Sequence, residues 1–123
     1  HLKKGGRITP AVALLGGMLK IVPVMELNYD LGGKIDTLAK VRTISKARLT
    51  AVNRMKELGV TKDEYIFTIE HVLCEDSANE LKNKLFEIIG EGELTLRELP
   101  SIVGAHMGVG GLGIQYIKKY KGE

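Results

Sequence analysis

Two periodicities divide the chain. Between Ser45 and Leu58, Ala47, Val52, Met55 and Leu58 recur on one face while Lys46, Arg48, Arg54 and Lys56 fall elsewhere. That spacing predicts an amphipathic helix, stopped at its C-terminus by Gly59. A second helix is expected after Asp76, a candidate N-cap, with Leu81, Leu85, Ile88 and Ile89 as its apolar stripe and Gly90 as its end. A third, short and apolar, is expected from Pro10 to Leu19. Thr9 would be its N-cap and Pro10 its first residue, with Gly16 and Gly17 loosening it.

The other stretches alternate or are rich in β-branched residues. Lys20 to Leu27 predicts a strand, and Pro23 inside it predicts either a sheet edge or the strand's beginning. Asn28 to Gly33 is a turn, and Lys34 to Arg42 is the returning strand of a hairpin. Tyr65 to His71 is a buried strand, and Glu93 to Leu99 is another, with Leu94, Leu96 and Leu99 facing inward. Pro100 to Val103 is a turn, and Gly111 to Tyr120 is a last strand through Leu112, Ile114 and Tyr116, or an amphipathic end. The order α-β-β-α-β-α-β-turn-β implies an α/β (α+β-like) fold: a mixed sheet of about five to six strands packed with helices.

Composition narrows the classes. At 123 residues, 44% of them hydrophobic and 27% charged, the chain fits one domain over 1–123 with a real core. Aromatic residues are 5% with no Trp, and the net charge is only +3, so a nucleic-acid partner is not expected. Lys118, Lys119 and Lys121 make a solvated tail. No stretch reaches the ~20 apolar residues of a membrane span. Lys3, Lys4 and Arg7 before Ala11 to Leu15 imitate a signal peptide, but Pro10, Gly16-Gly17 and Lys20 interrupt it. The lone Cys74 rules out an internal disulfide and favours a reducing, cytoplasmic compartment. The chain opens on His1 without an initiating Met, which predicts a fragment of a longer protein.

Candidate chemistry gathers in two glycine-rich basic clusters near opposite ends. One is Lys3-Lys4-Gly5-Gly6-Arg7-Ile8; the other runs from Gly104 to Gly113 and contains His106 and Gly108. If the fold joins them, Arg7 and His106 form an anion-seeking corner beside apolar walls; otherwise they are tight turns with solvent-facing cations. Gly108, Gly110 and Gly113 fit G-x-G-x-x-G, but too little chain follows for a dinucleotide-binding βαβ unit. His71 and Cys74 make half a metal motif with no second half, so no metal is expected. Arg7, ahead of the first expected helix, and Arg42, at a strand end, are guanidinium forks suited to anions, or solvated arginines. No nucleophile–base arrangement and no carboxylate pair stands out, so no catalytic residue and no cofactor is assigned.

Four blocks then resemble a known family. Leu2-Lys3-Lys4-Gly5-Gly6-Arg7-Ile8, Lys20-Ile21-Val22-Pro23-Val24, Lys40-Val41-Arg42-Thr43 and Val103 to Gly113 resemble, in order and across nearly the whole chain, the C-terminal domain of the DegV family of bacterial fatty-acid-binding proteins. The resemblance implies two α/β domains with a long-chain fatty acid between them, the N-terminal one lying outside this chain. It also implies a non-catalytic carrier that presents the carboxylate to a separate fatty acid kinase for acyl phosphate formation, in bacterial phospholipid metabolism. Arg7, Arg42 and His106, with Gly6 and Gly108, would stand near the head group. The family's Thr-Gly-Pro-Gly after the histidine is here Met107-Gly108-Val109-Gly110, without the hydroxyl and the rigid turn residue. With half the cleft absent, the exposed domain face is expected to be apolar and to self-associate. Two other functions fit the residues. One is an enzyme using His106 with Arg7 and Arg42 on a small anion; the other is an interaction domain without a ligand.

Overall fold

The computed structural model describes residues 5–10, 21–29, 32–100 and 110–119. The element order among them is β1 (Gly5–Pro10), β2 (Val22–Asn28), β3 (Lys34–Val41), α1 (Ile44–Glu57), β4 (Tyr65–His71), α2 (Glu75–Ile88), β5 (Leu94–Glu98) and β6 (Leu112–Lys118). The strands form one six-stranded sheet in the order β3-β2-β1-β6-β4-β5. Every pairing is antiparallel except β4 with β5, which α2 connects. This is the mixed sheet with helices that the sequence pattern implies.

Both helices lie on one face. α1 packs over β1, β2 and β3, while α2 packs over β4 and against α1. The core between the layers is Ile8, Val22, Val24, Phe67, Ile69, Leu112, Ile114 and Tyr116 from the sheet, against Ala47, Ala51, Val52 and Met55 of α1 and Ala78, Leu81 and Leu85 of α2. The small Ala47 and Ala51 let α1 approach the sheet closely, and the larger side chains fill the rest at interior density.

Helix α1 starts and stops for local reasons. Thr43 Oγ1 accepts the Lys46 backbone N–H at 3.1 Å, an N-cap. At the other end Gly59 takes φ +82°, its N–H bonds the Lys56 carbonyl, and the Val60 N–H bonds the Met55 carbonyl. That pair of bonds is a Schellman closure, which needs the left-handed residue that glycine supplies. Helix α2 begins two residues earlier than Asp76 suggests. Cys74 is its N-cap without a side-chain cap bond, and Glu75 and Asp76 occupy the first turn, where carboxylates favour the helix dipole.

One expectation at the N-terminal side is corrected and another is decided between its alternatives. Thr9 and Pro10 do not begin a helix: they end strand β1, paired with Met25 and Val24 of β2. Gly5 to Pro10 lacks β-rich alternation, and only its position between β2 and β6 makes it a strand. Pro23 marks the strand's beginning rather than an edge, because β3 and β1 flank β2 on both sides. Residues 11–20, where the apolar helix is expected, lie outside the described residues. Among the described residues no helix is long and apolar enough to cross a membrane.

Candidate functional site

Pairing of β1 with β6 sets the Gly5–Ile8 segment beside the residues that follow the second glycine cluster, and of that cluster Gly113 comes next to the Arg7 side chain. Gly5, Gly6, Arg7 and Ile8 stand opposite Ile117, Tyr116, Gln115 and Ile114. His106 and Gly108 lie outside the described residues. The flanking Gly110 takes φ +91°, and its N–H bonds the Val72 carbonyl at 2.9 Å. The Val72 N–H returns a bond to the Gly111 carbonyl at 3.0 Å, so this end of the cluster is fastened to the turn after β4.

Gly5 and Gly6 are required by the sheet itself. A Cβ on Gly6 would lie 2.6 Å from Tyr116 Oη and 2.5 Å from the Leu27 carbonyl oxygen, and one on Gly5 would collide with the Tyr116 carbonyl. These glycines admit the tyrosine ring and the neighbouring backbone. The place of Gly6 is thus in the seating of β1, on the face that meets the helices.

Arg7 points the other way. Ile8 is fully buried under the helices, so alternation sends Arg7 and Thr9 to the open face of the sheet. There Arg7 stands inside strand β1. Its Nη2 pairs with Glu70 Oε1 on β4, across the intervening strand β6. The path is opened by Gly113: a Cβ there would stand 3.5 Å from both Arg7 Nε and Thr9 Oγ1. Glu70 is opposite Gly113 on one side and Arg97 of β5 on the other. Arg97 Nη1 lies 3.9 Å from Glu70 Oε2. Glu70 is 8% exposed although no helix covers this face, and the Arg7 side chain is 32% exposed. Two guanidinium groups on one carboxylate leave a charge of +1 over the row Arg7–Glu70–Arg97.

Apolar side chains border the row. Register places Leu27 beside Arg7 and Met25 beside Thr9, and it pairs Ile66 with Ile117 on the same face. All four are half-buried. A cationic spot with apolar residues around it can receive the head and part of the tail of an amphipathic acid.

Arg42 stands apart from Arg7. It follows the end of the edge strand β3, is exposed, and immediately precedes the Thr43 cap of α1. One strand, β2, lies between the strand it follows and β1. His71 and Cys74 close a turn: His71 Nδ1 accepts the Cys74 backbone N–H at 3.1 Å, and His71 is 2% exposed. Cys74 Sγ donates to the Gly111 carbonyl at 3.3 Å, and burial pushes its thiol up. Among the described residues no group of three or more His, Cys, Asp or Glu could hold a metal ion.

Glu70 and Arg97 were not legible as site residues. Alternation in Tyr65 to His71 puts Glu70 on the face opposite Phe67 and Ile69, but nothing in the pattern says that β6 and then β1 lie beside it. The ion pair is a product of strand order.

Known proteins match this fold and these blocks. The DegV family model, described as an uncharacterised protein family, matches residues 1–119. A DegV domain-containing protein of Streptomyces coelicolor is 36% identical over 117 residues, covering 93% of this chain and 40% of the relative. One from Clostridium acetobutylicum is 35% identical over 120 residues, covering 94% and 39%. The chain thus spans about 40% of the length of the curated relatives it matches. Among solved structures, a fatty acid binding DegV family protein of Streptococcus agalactiae superposes with a TM-score of 0.74 at 27% identity, over 94% of this chain and 45% of that one. A DegV lipid binding protein of Thermotoga maritima gives 0.76 at 19% identity, over 94% and 43%. The Fatty Acid Kinase (Fak) B3 protein of Streptococcus pneumoniae, loaded with linoleic acid, gives 0.73 at 16% identity, over 94% and 45%. With a family match over nearly its whole length and a six-stranded mixed sheet under two helices, this chain belongs to the DegV family.

Proposed function

We propose that this chain is the C-terminal domain of a two-domain bacterial fatty-acid carrier. In this reading residues 1–123 form one domain, and a long-chain fatty acid lies between its open sheet face and an N-terminal domain of the same protein. The observation that carries the proposal is the row Arg7–Glu70–Arg97, with a charge of +1, set among Leu27, Met25, Ile66 and Ile117 on the face without helices. The names of several structural relatives support the ligand class, since they describe fatty acid or lipid binding. The Fak B3 relative supports a fatty acid kinase as the partner to which the carboxylate is presented.

In this role Arg7 meets the head group, with Arg42 and His106 as further donors to the carboxylate or its phosphorylated product. Gly6 seats the strand that carries Arg7, and Gly108 belongs to the block that carries His106. Burial of the acyl chain contributes about 25 cal/mol per Å² of apolar surface. The protein binds and orients, while the kinase performs the chemistry. Separated from its N-terminal domain, the chain is expected to self-associate through the open face.

Organic extraction and mass spectrometry of lipid from the full-length protein test this reading. About one long-chain fatty acid per protein is expected, and Arg7→Ala, Arg42→Ala and His106→Ala should each reduce acyl phosphate formation when the kinase is supplied. An empty protein that also fails to take up added fatty acid would overturn it. Turnover of a small anion without any kinase would favour an enzyme instead.

A further inference from the structure

Glu70 is a buried carboxylate on a sheet face that no helix covers, and the head-group residues Arg7, Arg42 and His106 leave it without a task. We propose that Glu70 is a positioning residue: it holds the Arg7 guanidinium flat across Gly113, so that Arg7 meets an anionic head group in one fixed orientation. The proposal deepens the fatty-acid reading above and rests on it for the identity of the anion.

Three features of the sheet support it. The first is distance across strands. Arg7 and Glu70 are separated by β6, and two strand spacings amount to about 9.5 Å. An arginine spans that gap only when extended across the middle strand. The second is Gly113. Its φ is not positive, so its backbone does not demand glycine, and the space above it admits only a small residue. A Cβ at 3.5 Å from Arg7 Nε is still in ordinary contact, but any longer side chain would stand in the path of the guanidinium. The third is charge. With Arg97 on its second oxygen, Glu70 orients Arg7 without neutralising the row, and a monoanion completes the balance.

The physical gain is preorganisation. A free arginine has four side-chain torsions to restrict on binding, whereas one already gripped by a carboxylate has fewer. Its fork has five donors, so the face not used by Glu70 remains available to a ligand. The Arg7 side chain keeps 32% of its surface exposed.

The test uses the full-length protein and sodium oleate, followed by calorimetric titration, in the parent, Glu70→Ala, Glu70→Gln, Arg7→Ala and the Glu70→Ala/Arg7→Ala double variant. Glu70→Ala should weaken oleate binding about 10-fold, while Glu70→Gln, which keeps an acceptor for Arg7, should stay within about 3-fold of the parent. In the Arg7→Ala background, loss of Glu70 should change affinity less than about 2-fold, because there is nothing left to position. Unchanged or tighter binding in Glu70→Ala, or an undiminished effect without Arg7, would overturn the proposal. The ¹⁵N-resolved Arg7 Nε–Hε signal of the ligand-free protein gives an independent measure. It should exchange slowly in the parent and rapidly in Glu70→Ala; equal exchange in both overturns the clamp. If no form binds oleate, the fatty-acid reading fails and this signal alone decides on Glu70. If Glu70→Ala does not fold, Glu70→Met, which fills the site without an acceptor for Arg7, takes its place, and faster Hε exchange than in the parent is the supporting result, unchanged exchange the overturning one.

Discussion

Arg54 of α1 grips Glu26 of β2 with two bonds, Nε to Oε2 at 2.7 Å and Nη2 to Oε1 at 3.2 Å. The Glu26 side chain is 11% exposed and that of Arg54 is 29% exposed, so the pair sits at the border of the core rather than in open solvent. It fastens the helix layer to the same sheet that carries Arg7.

Truncation of this fork should therefore destabilise the fold. Arg54→Ala leaves a nearly buried carboxylate without its donors and is expected to cost about 2 kcal/mol in urea denaturation. Arg54→Lys restores the charge but not the two-bond geometry, and should recover about half of that. The hydrogen bond to Glu26 raises the Arg54 pKa further, so the guanidinium keeps its charge throughout the range in which the protein can be studied. A loss below about 0.5 kcal/mol would mean that the pair is screened like a surface bridge.

The glycines of the two clusters should respond differently to alanine. Gly6→Ala places a methyl 2.5 Å from a backbone carbonyl and 2.6 Å from Tyr116 Oη. Backbone cannot swing aside as a flexible side chain can, so a cost of about 1–3 kcal/mol is expected from thermal or chemical melts. Gly113→Ala meets its nearest neighbours at 3.5 Å, an ordinary contact, and should change stability by less than about 1 kcal/mol. The pair separates glycines that seat strands from one that clears a path for a side chain.

That contrast also shows what the sequence could and could not tell. Helices α1 and α2, the β2–β3 hairpin and strands β4, β5 and β6 follow from periodicity, because each buries one face against a single core. Strand β1 does not follow from periodicity. Its Gly5-Gly6 has no side chains to alternate, and Thr9-Pro10 is equally suited to open a helix; only two flanking strands decide the matter. The glycine context marks Arg7 as a candidate, but nothing in the sequence marks its partners. Residues 70 and 97 lie far from it in the chain, and a pairing between sheet positions cannot be deduced without strand order.

Leu73 combines backbone strain with exposure. Its φ is +54° and its relative exposure is 60%, in the turn between β4 and α2. A left-handed conformation costs an ordinary L-residue roughly 1–2 kcal/mol, which asparagine largely avoids. Leu73→Asn is therefore expected to raise stability by about 0.5–1 kcal/mol. Leu73→Gly should gain less, because glycine also frees the unfolded chain. A melting temperature that falls in Leu73→Asn would mean that contacts of the leucine side chain outweigh the strain.

Cys74, one residue further, yields a prediction with pH. Burial raises its thiol above the ordinary value of 9.0, against smaller opposing effects of a Val72 backbone hydrogen bond and the Arg48 charge. The native thiol therefore holds its proton where the unfolded one has lost it, and the native state binds more protons above pH 9.0. The contribution to stability is complete below that value and is lost as pH rises toward the native pKa. Cys74→Ala removes the titration, so the stability difference between parent and variant should be constant below about pH 8 and should shrink above about pH 9. The same protonation keeps the thiol unreactive: at about pH 8 a disulfide reagent such as DTNB should modify native Cys74 at least about 10-fold more slowly than the denatured protein. Equal rates in the two states would show that neither the bond to Gly111 nor burial protects the sulfur, and the pH-dependent difference in stability should then vanish with it.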